Sequence, residues 1–286
     1  MQNTTSASKI RFGPAGIPIQ CKKRDSGSAV ECCAKLGLYA LELQFGMGIR
    51  LKKETAQKIK QEAEKYDVSL SCHAPYFINL CSNDFKKIEI SKRNIIESAR
   101  IIELAGGKIF VFHPGFYQNL SKKEAYDNAK KNLIEIKDAV EQHGIKNILF
   151  GAETVGKKTS FGGLDEILEL SGELGFLWPV IDFAHIHARG DFELKTKEDY
   201  LKLFEKIERK IPEYPKRIHC HFSEINYSEK GEKNHLNLGT NNTPPYKKLM
   251  EALCKNGYSG TIICETPNLD IDAIKMQEYY KKVGGI

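Results

Sequence analysis

The stretch KIFVFHPGFYQNLSKKEAYDNAKKNLIEIKDAVEQHGIKNILFGAE, residues 108–153, contains one complete repeating unit of a fold. Two short runs rich in β-branched and aromatic residues, KIFVFH (108–113) and NILFGAE (147–153), flank a segment of helical period (121–144). The helical segment carries its own boundaries. Ser121 with Glu124 three residues on forms a capping box, and Gly144 behind Gln142 and His143 is a C-terminal stop. His143 suits that helix end, where an imidazole complements the dipole.

The same alternation extends in both directions. Strands are predicted at IRFG (10–13), ALELQF (40–45), VSLSCH (68–73), WPVIDF (178–183), RIHCHF (217–222) and TIICE (261–265), which with the first two makes eight. A chain of 286 residues has room for two average domains, but barrels of this alternation use roughly 250 residues as one. Units of about equal length, with no Pro/Gly/Ser-rich linker, favour a single (β/α)8 TIM barrel with parallel strands over residues 9–286, behind a flexible polar tail at 1–8.

Apolar residues at 41% and charged residues at 28% suit a chain able to bury one large core. The net charge of +6 is spread along the chain in lysine pairs such as Lys86 and Lys87, as solvated helix faces require. No apolar run approaches the roughly 18 residues of a membrane span, and MQNTTSASK has no secretory core. The expectation is a cytoplasmic monomer without membrane contact. The eight cysteines, including the adjacent Cys32 and Cys33, show no CxxC spacing and are expected to be reduced and mostly buried.

In a parallel barrel the chemistry gathers at the C-terminal strand ends. Here those ends are His73, His113, Glu153, Asp182, His221 and Glu265. Singly, each is more often a packing or ion-paired residue. Together they would form a rim of buried polar groups, each costing several kcal/mol unless a cation satisfied them. Imidazole and carboxylate without thiolate suit Zn²⁺, Mn²⁺ or Fe²⁺. His185, three residues after Asp182, and His235, in the loop after strand seven, bring more donors than one ion uses, so a cluster of two or three ions is expected. His219 shares a strand face with His221 and should line the interior below; His187 is a supporting or exposed residue.

The ordered set HAPYFINL, FHPGFY, GAETVGKK, IDFAHIHARG, HFSE, NHLNLG and CETP, within residues 9–270, resembles the endonuclease IV family of apurinic/apyrimidinic endonucleases. That resemblance implies a TIM barrel with a trinuclear zinc centre that cuts double-stranded DNA 5′ to an abasic site. By position, His73 and His113 hold a first ion; Glu153, the catalytic bridge, reaches a second shared with Asp182, His221 and Glu265; His185 and His235 hold a third. Tyr76 matches the aromatic ring that reaches the DNA gap, and Gln44, Arg50, Lys157 and Lys158 are candidate DNA contacts.

One position departs from the family. The aspartate two residues before the last histidine is Lys233 here, and an ammonium repels a cation. Either Glu232 substitutes as the carboxylate or Lys233 itself occupies the third cation's place, and two firm zinc ions with a weak third are expected. Two competing readings remain. Glu153, Asp182, His221 and Glu265 are also the single-metal quartet of sugar isomerases and epimerases of this superfamily, although such enzymes have no use for four surplus histidines. A catalytically silent barrel that only binds nucleic acid or protein is the other.

Overall fold

Because the strands are short and each is followed by a helix that covers its outer face, the strands pair in parallel. This is the architecture of the protein in a computed structural model, which describes residues 10–23 and 25–285. The barrel strands are β1 Ile10–Pro14, β2 Ala40–Gln44, β3 Ser69–His73, β4 Ile109–Phe112, β5 Leu149–Glu153, β6 Leu177–Asp182, β7 Ile218–Phe222 and β8 Gly260–Cys264. From β2 to β8 each pairs in parallel with its sequence neighbour, and β8 returns to β1. The tail proposed for residues 1–8 lies outside the described residues.

Between β1 and β2 the ring closes by close backbone approach, without a full ladder. Tyr39 N–H donates to Phe12 O at 3.2 Å, and a single bridge joins Ala15 to Glu42. A Cβ at Gly13 would stand 1.9 Å from the Ala40 carbonyl oxygen. Only glycine lets the two backbones come so near.

Helix Lys122–Gln142 starts on the expected capping box, and His143 is its C-cap, its Nδ1 2.7 Å from Ala139 O. Helix Lys197–Lys210 buries Tyr200, Leu203, Phe204 and Ile207, one stripe at helical spacing. Each such side chain contributes about 1.5–3 kcal/mol on burial. No helix among the described residues is long and apolar enough to cross a membrane.

Two expectations need correction. Cys21 and Cys32 are not reduced; they form a disulfide, because the segment before helix Ser26–Lys35 folds back across it. Adjacent helix positions diverge by about 100°, so Cys33 turns into the core while Cys32 meets Cys21. The other six cysteines are free. The region after β7 is also not a plain loop: Glu224–Ser228 and Gly231–Leu236 form an antiparallel hairpin.

Gly13→Ala should force β1 away from β2. The expected cost is about 1–3 kcal/mol, read as a lowered urea midpoint at unchanged m-value; an unshifted midpoint would show that the seam has slack.

Candidate metal centre

The strand ends deliver their side chains as expected, to within one residue. His73, Glu153 and Asp182 end β3, β5 and β6; His113 and Glu265 follow β4 and β8 directly; His221 is penultimate in β7. Asp182 also N-caps the short helix Phe183–Arg189, its Oδ1 accepting from His185 N–H at 2.7 Å. That cap fixes the phase of the helix and turns His185 towards the rim.

Among the described residues, three groups at the rim place one donor atom each within 4.8 Å of one another: His73, His113 and Glu153; Glu153, Asp182, His221 and Glu265; and Asp182, His185 and His235. Glu153 is fully buried and joins the first two. Its Oε2 lies 3.0 Å from His73 Nε2 and 3.0 Å from His113 Nε2, and its Oε1 lies 3.2 Å from His221 Nδ1. Glu265 Oε1 is 3.2 Å from the same His221 Nδ1.

Backbone carbonyls determine which ring nitrogens remain free. A carbonyl can only accept, so an imidazole nitrogen beside one carries the proton. His73 Nδ1 lies 2.9 Å from Ala74 O, His185 Nδ1 2.9 Å from Thr154 O and His235 Nδ1 3.1 Å from Glu265 O. In the neutral rings the Nε2 lone pairs therefore face inward. His185 Nε2 and His235 Nε2 oppose each other at 3.2 Å, with Glu232 Oε2 also 3.2 Å from His185 Nε2. Asp182 Oδ2 and Glu232 Oε2 are shielded from water and accept no hydrogen bond. Three acceptors converging without a donor repel unless a cation, a proton or a metal ion, stands between them. The donor set therefore fits divalent metal.

The electrostatics agree. Burial pushes the Glu153 carboxyl up, but the charges of His113 and His221 overturn this and hold it well below the usual range. Glu265 goes the other way, raised by burial and by Glu153 against the pull of His221. Burial lowers His73, yet its bond to Glu153 wins and lifts it to about 9.

The hairpin places Glu232 and Lys233 differently. Its register skips Lys233, pairing Asn226 with Asn234 and then Tyr227 with Glu232. This bulge puts Lys233 in solvent and Glu232 against His185. Gly156 makes room, since a Cβ there would lie 2.4 Å from Glu232 Oε2.

Tyr76 stands exposed at the rim, its ring 6.2 Å from His73. Arg50 is exposed in the segment after β2, and Lys157 and Lys158 are exposed after β5. The backbone beneath the two lysines is held by Arg189, whose guanidinium donates to Val155 O, Lys157 O and Ser160 O. Gln44 ends β2 exposed, and its amide donates to Glu42 Oε1 at 3.1 Å. His187 is a packing residue, its Nδ1 accepting from Leu194 N–H. Glu42 itself was not anticipated, although one acid inside the apolar run ALELQF was a legible signal.

A parallel barrel with imidazoles and carboxylates gathered at its carboxyl rim defines the class: a TIM-barrel protein with a candidate polynuclear metal site. The chain belongs to the xylose isomerase-like TIM barrel family, whose model matches residues 30–282. It is 40% identical over 273 residues to an uncharacterized protein of Methanocaldococcus jannaschii, covering 95% of this chain and 97% of that one. A probable endonuclease 4 of Mycoplasma mobile is 29% identical, over 67% of each chain. Among solved structures, endonuclease IV from Thermus thermophilus superposes with a TM-score of 0.71 at 18% identity, over 95% of this chain and 99% of that one. A D-tagatose 3-epimerase-like protein does so at 0.69 and 22%, over 90% and 93%.

Zn²⁺ or Mn²⁺ should stabilise the fold, by about 2.7 kcal/mol at 100 times Kd, and so raise the melting temperature as its concentration rises. His73, held at about 9, must release its proton to bind metal, so binding at pH 7.5 should liberate protons and weaken as pH falls. Calorimetry in buffers of different ionisation enthalpy reads both; absence of proton release would refute the assignment.

Proposed function

We propose that this protein is a metal-dependent phosphodiesterase that cleaves double-stranded DNA at abasic sites. The observation that carries the reading is the third group, His185 and His235 with lone pairs opposed at 3.2 Å and Glu232 beside them. A mononuclear sugar isomerase has no use for it. Relatives named endonuclease 4 support the same direction.

The residues divide as follows. His73, His113 and Glu153 would hold a first ion; Glu153, Asp182, His221 and Glu265 a second; and Asp182, His185 and His235, with Glu232 in place of the family aspartate, a third. Zinc fits this nitrogen and oxygen donor set, as do Mn²⁺ and Fe²⁺. Ions bound there supply Lewis-acid activation of water and neutralise charge on the scissile phosphate. Glu153 orients that centre, since both its oxygens are engaged and burial leaves it no alternative partner. Tyr76 presents its ring to the space an extruded nucleotide vacates, and Arg50, Lys157 and Lys158 meet backbone phosphate.

The second reading is a sugar epimerase using only Glu153, Asp182, His221 and Glu265, and it is favoured by the epimerase-like barrel among the similar folds. A duplex carrying one tetrahydrofuran abasic analogue, incubated with the metal-loaded protein, separates the two. Cleavage 5′ to the analogue, abolished by chelator, is expected; ketose epimerisation without nicking would establish the second reading.

Glu153→Gln should lower cleavage by at least roughly 10- to 100-fold, the loss seen even for outer partners of metal ligands. Glu232→Ala should remove one bound ion by elemental analysis, while Lys233→Ala leaves the count unchanged. Equal ion content in the Glu232 and Lys233 variants would show that the bulged carboxylate is not a ligand.

A further inference from the structure

Beneath the rim lies a second polar cluster, inside the barrel, and it differs from those above in satisfying itself. Glu42 is fully buried at the middle of β2, beside the seam where β2 meets β1. Ser71 Oγ donates to its Oε2 at 2.9 Å and the Gln44 amide to its Oε1 at 3.1 Å. His221 Nε2 lies 3.2 Å and His219 Nε2 3.3 Å from the same Oε2. A carboxylate offers only lone pairs, so an unprotonated Nε2 of His221 would set two acceptors against each other in a place no water reaches. Nε2 therefore carries the hydrogen and donates it to Glu42.

The opposite nitrogen of the same ring is the one that faces the rim. His221 Nδ1 lies 3.2 Å from both Glu153 Oε1 and Glu265 Oε1. With Nε2 committed to Glu42, Nδ1 is the nitrogen left to give up its hydrogen and offer a lone pair when a metal ion stands between it and the carboxylates of Glu153 and Glu265. We propose that Glu42 is a positioning residue for the rim centre: it fixes the tautomer and ring angle of His221 and, by its negative charge, strengthens Nδ1 as a donor. The inference rests on reading the rim as a metal centre. The same three residues, Glu42, His219 and His221, also lie within 4.8 Å as a potential metal tripod. The four donors already on Glu42 argue for the positioning role, because every oxygen is engaged without a cation.

The test is chelator-competition titration of Co²⁺ and Zn²⁺ into the whole protein, with the Co²⁺ visible spectrum recorded alongside. Glu42→Gln keeps the shape and removes the charge; it should weaken the ion held by His221 roughly 10- to 100-fold and shift the Co²⁺ bands. Ser71→Ala removes a bond to the same oxygen without touching His221, and should change affinity by less than about 3-fold, as expected for a simple packing role. Unchanged affinity and spectrum in Glu42→Gln, with the parent binding metal, overturns the proposal alone. A parent protein that binds no divalent ion overturns the metal reading and the proposal with it. Loss of one whole ion in both Glu42→Gln and His219→Ala, the remainder keeping parental affinity, overturns it in favour of a buried tripod. Where Glu42→Gln does not fold, long-range proton–nitrogen spectra of the zinc-loaded parent decide: His221 protonated on Nε2 is required, and protonation on Nδ1 refutes the role.

Discussion

The rest of this molecule is arranged around one buried carboxylate. Glu153, buried where its charge has no water, is surrounded by imidazole nitrogens from three other strand ends and from the helix after β6. Carbonyls of residues 74, 154 and 265 take the hydrogens of His73, His185 and His235 and leave their second nitrogens aimed at one another or at carboxylates. Burying so many acceptors without donors is costly. Such an arrangement needs positive charge within it, as protons on the imidazoles or as metal ions, and the fold around it resists relaxation.

That resistance comes from several directions. Asp182 is held through its own backbone N–H by Thr154 Oγ1 and through its Oδ1 by the helix it caps, so it cannot swing away from His185. Arg189, nearly buried, ties the segment after β5 from below through three carbonyl oxygens. Glu224 accepts from the backbone N–H groups of Gly239, Asn241 and Asn242, pinning the base of the hairpin that carries Glu232 and His235. Rigid support of this kind is what a multinuclear site needs, because donor positions must hold while ions exchange.

Much of this was legible in order along the chain. The alternation of β-branched runs with capped helical segments determined the barrel, since side-chain period and helix boundaries are local properties. The rim residues followed from the barrel, because parallel strands bring all their C-terminal ends to one face. Glu42 was less visible: its meaning depends on His219 and His221, 177 and 179 residues away, and no local pattern announces such a partnership. The Cys21–Cys32 bond was hidden for a related reason, as spacing alone does not say which helix face each sulfur takes.

Residue 233 marks the boundary between the two kinds of information. In sequence, the lysine occupies the place of a family aspartate and spoils a ligand pair. In the folded hairpin, one extra residue on one strand shifts the phase of everything before it, sending Lys233 to solvent and Glu232 to His185. The sequence by itself determined which strands form, which ends carry imidazole and carboxylate, and that their convergence calls for a cation. Only the tertiary structure decided which carboxylate reaches the third group, which ring nitrogens face inward, and that a buried glutamate stands beneath His221. Those choices rest on register and on hydrogen bonds between distant strands, and such bonds exist only once the barrel has closed.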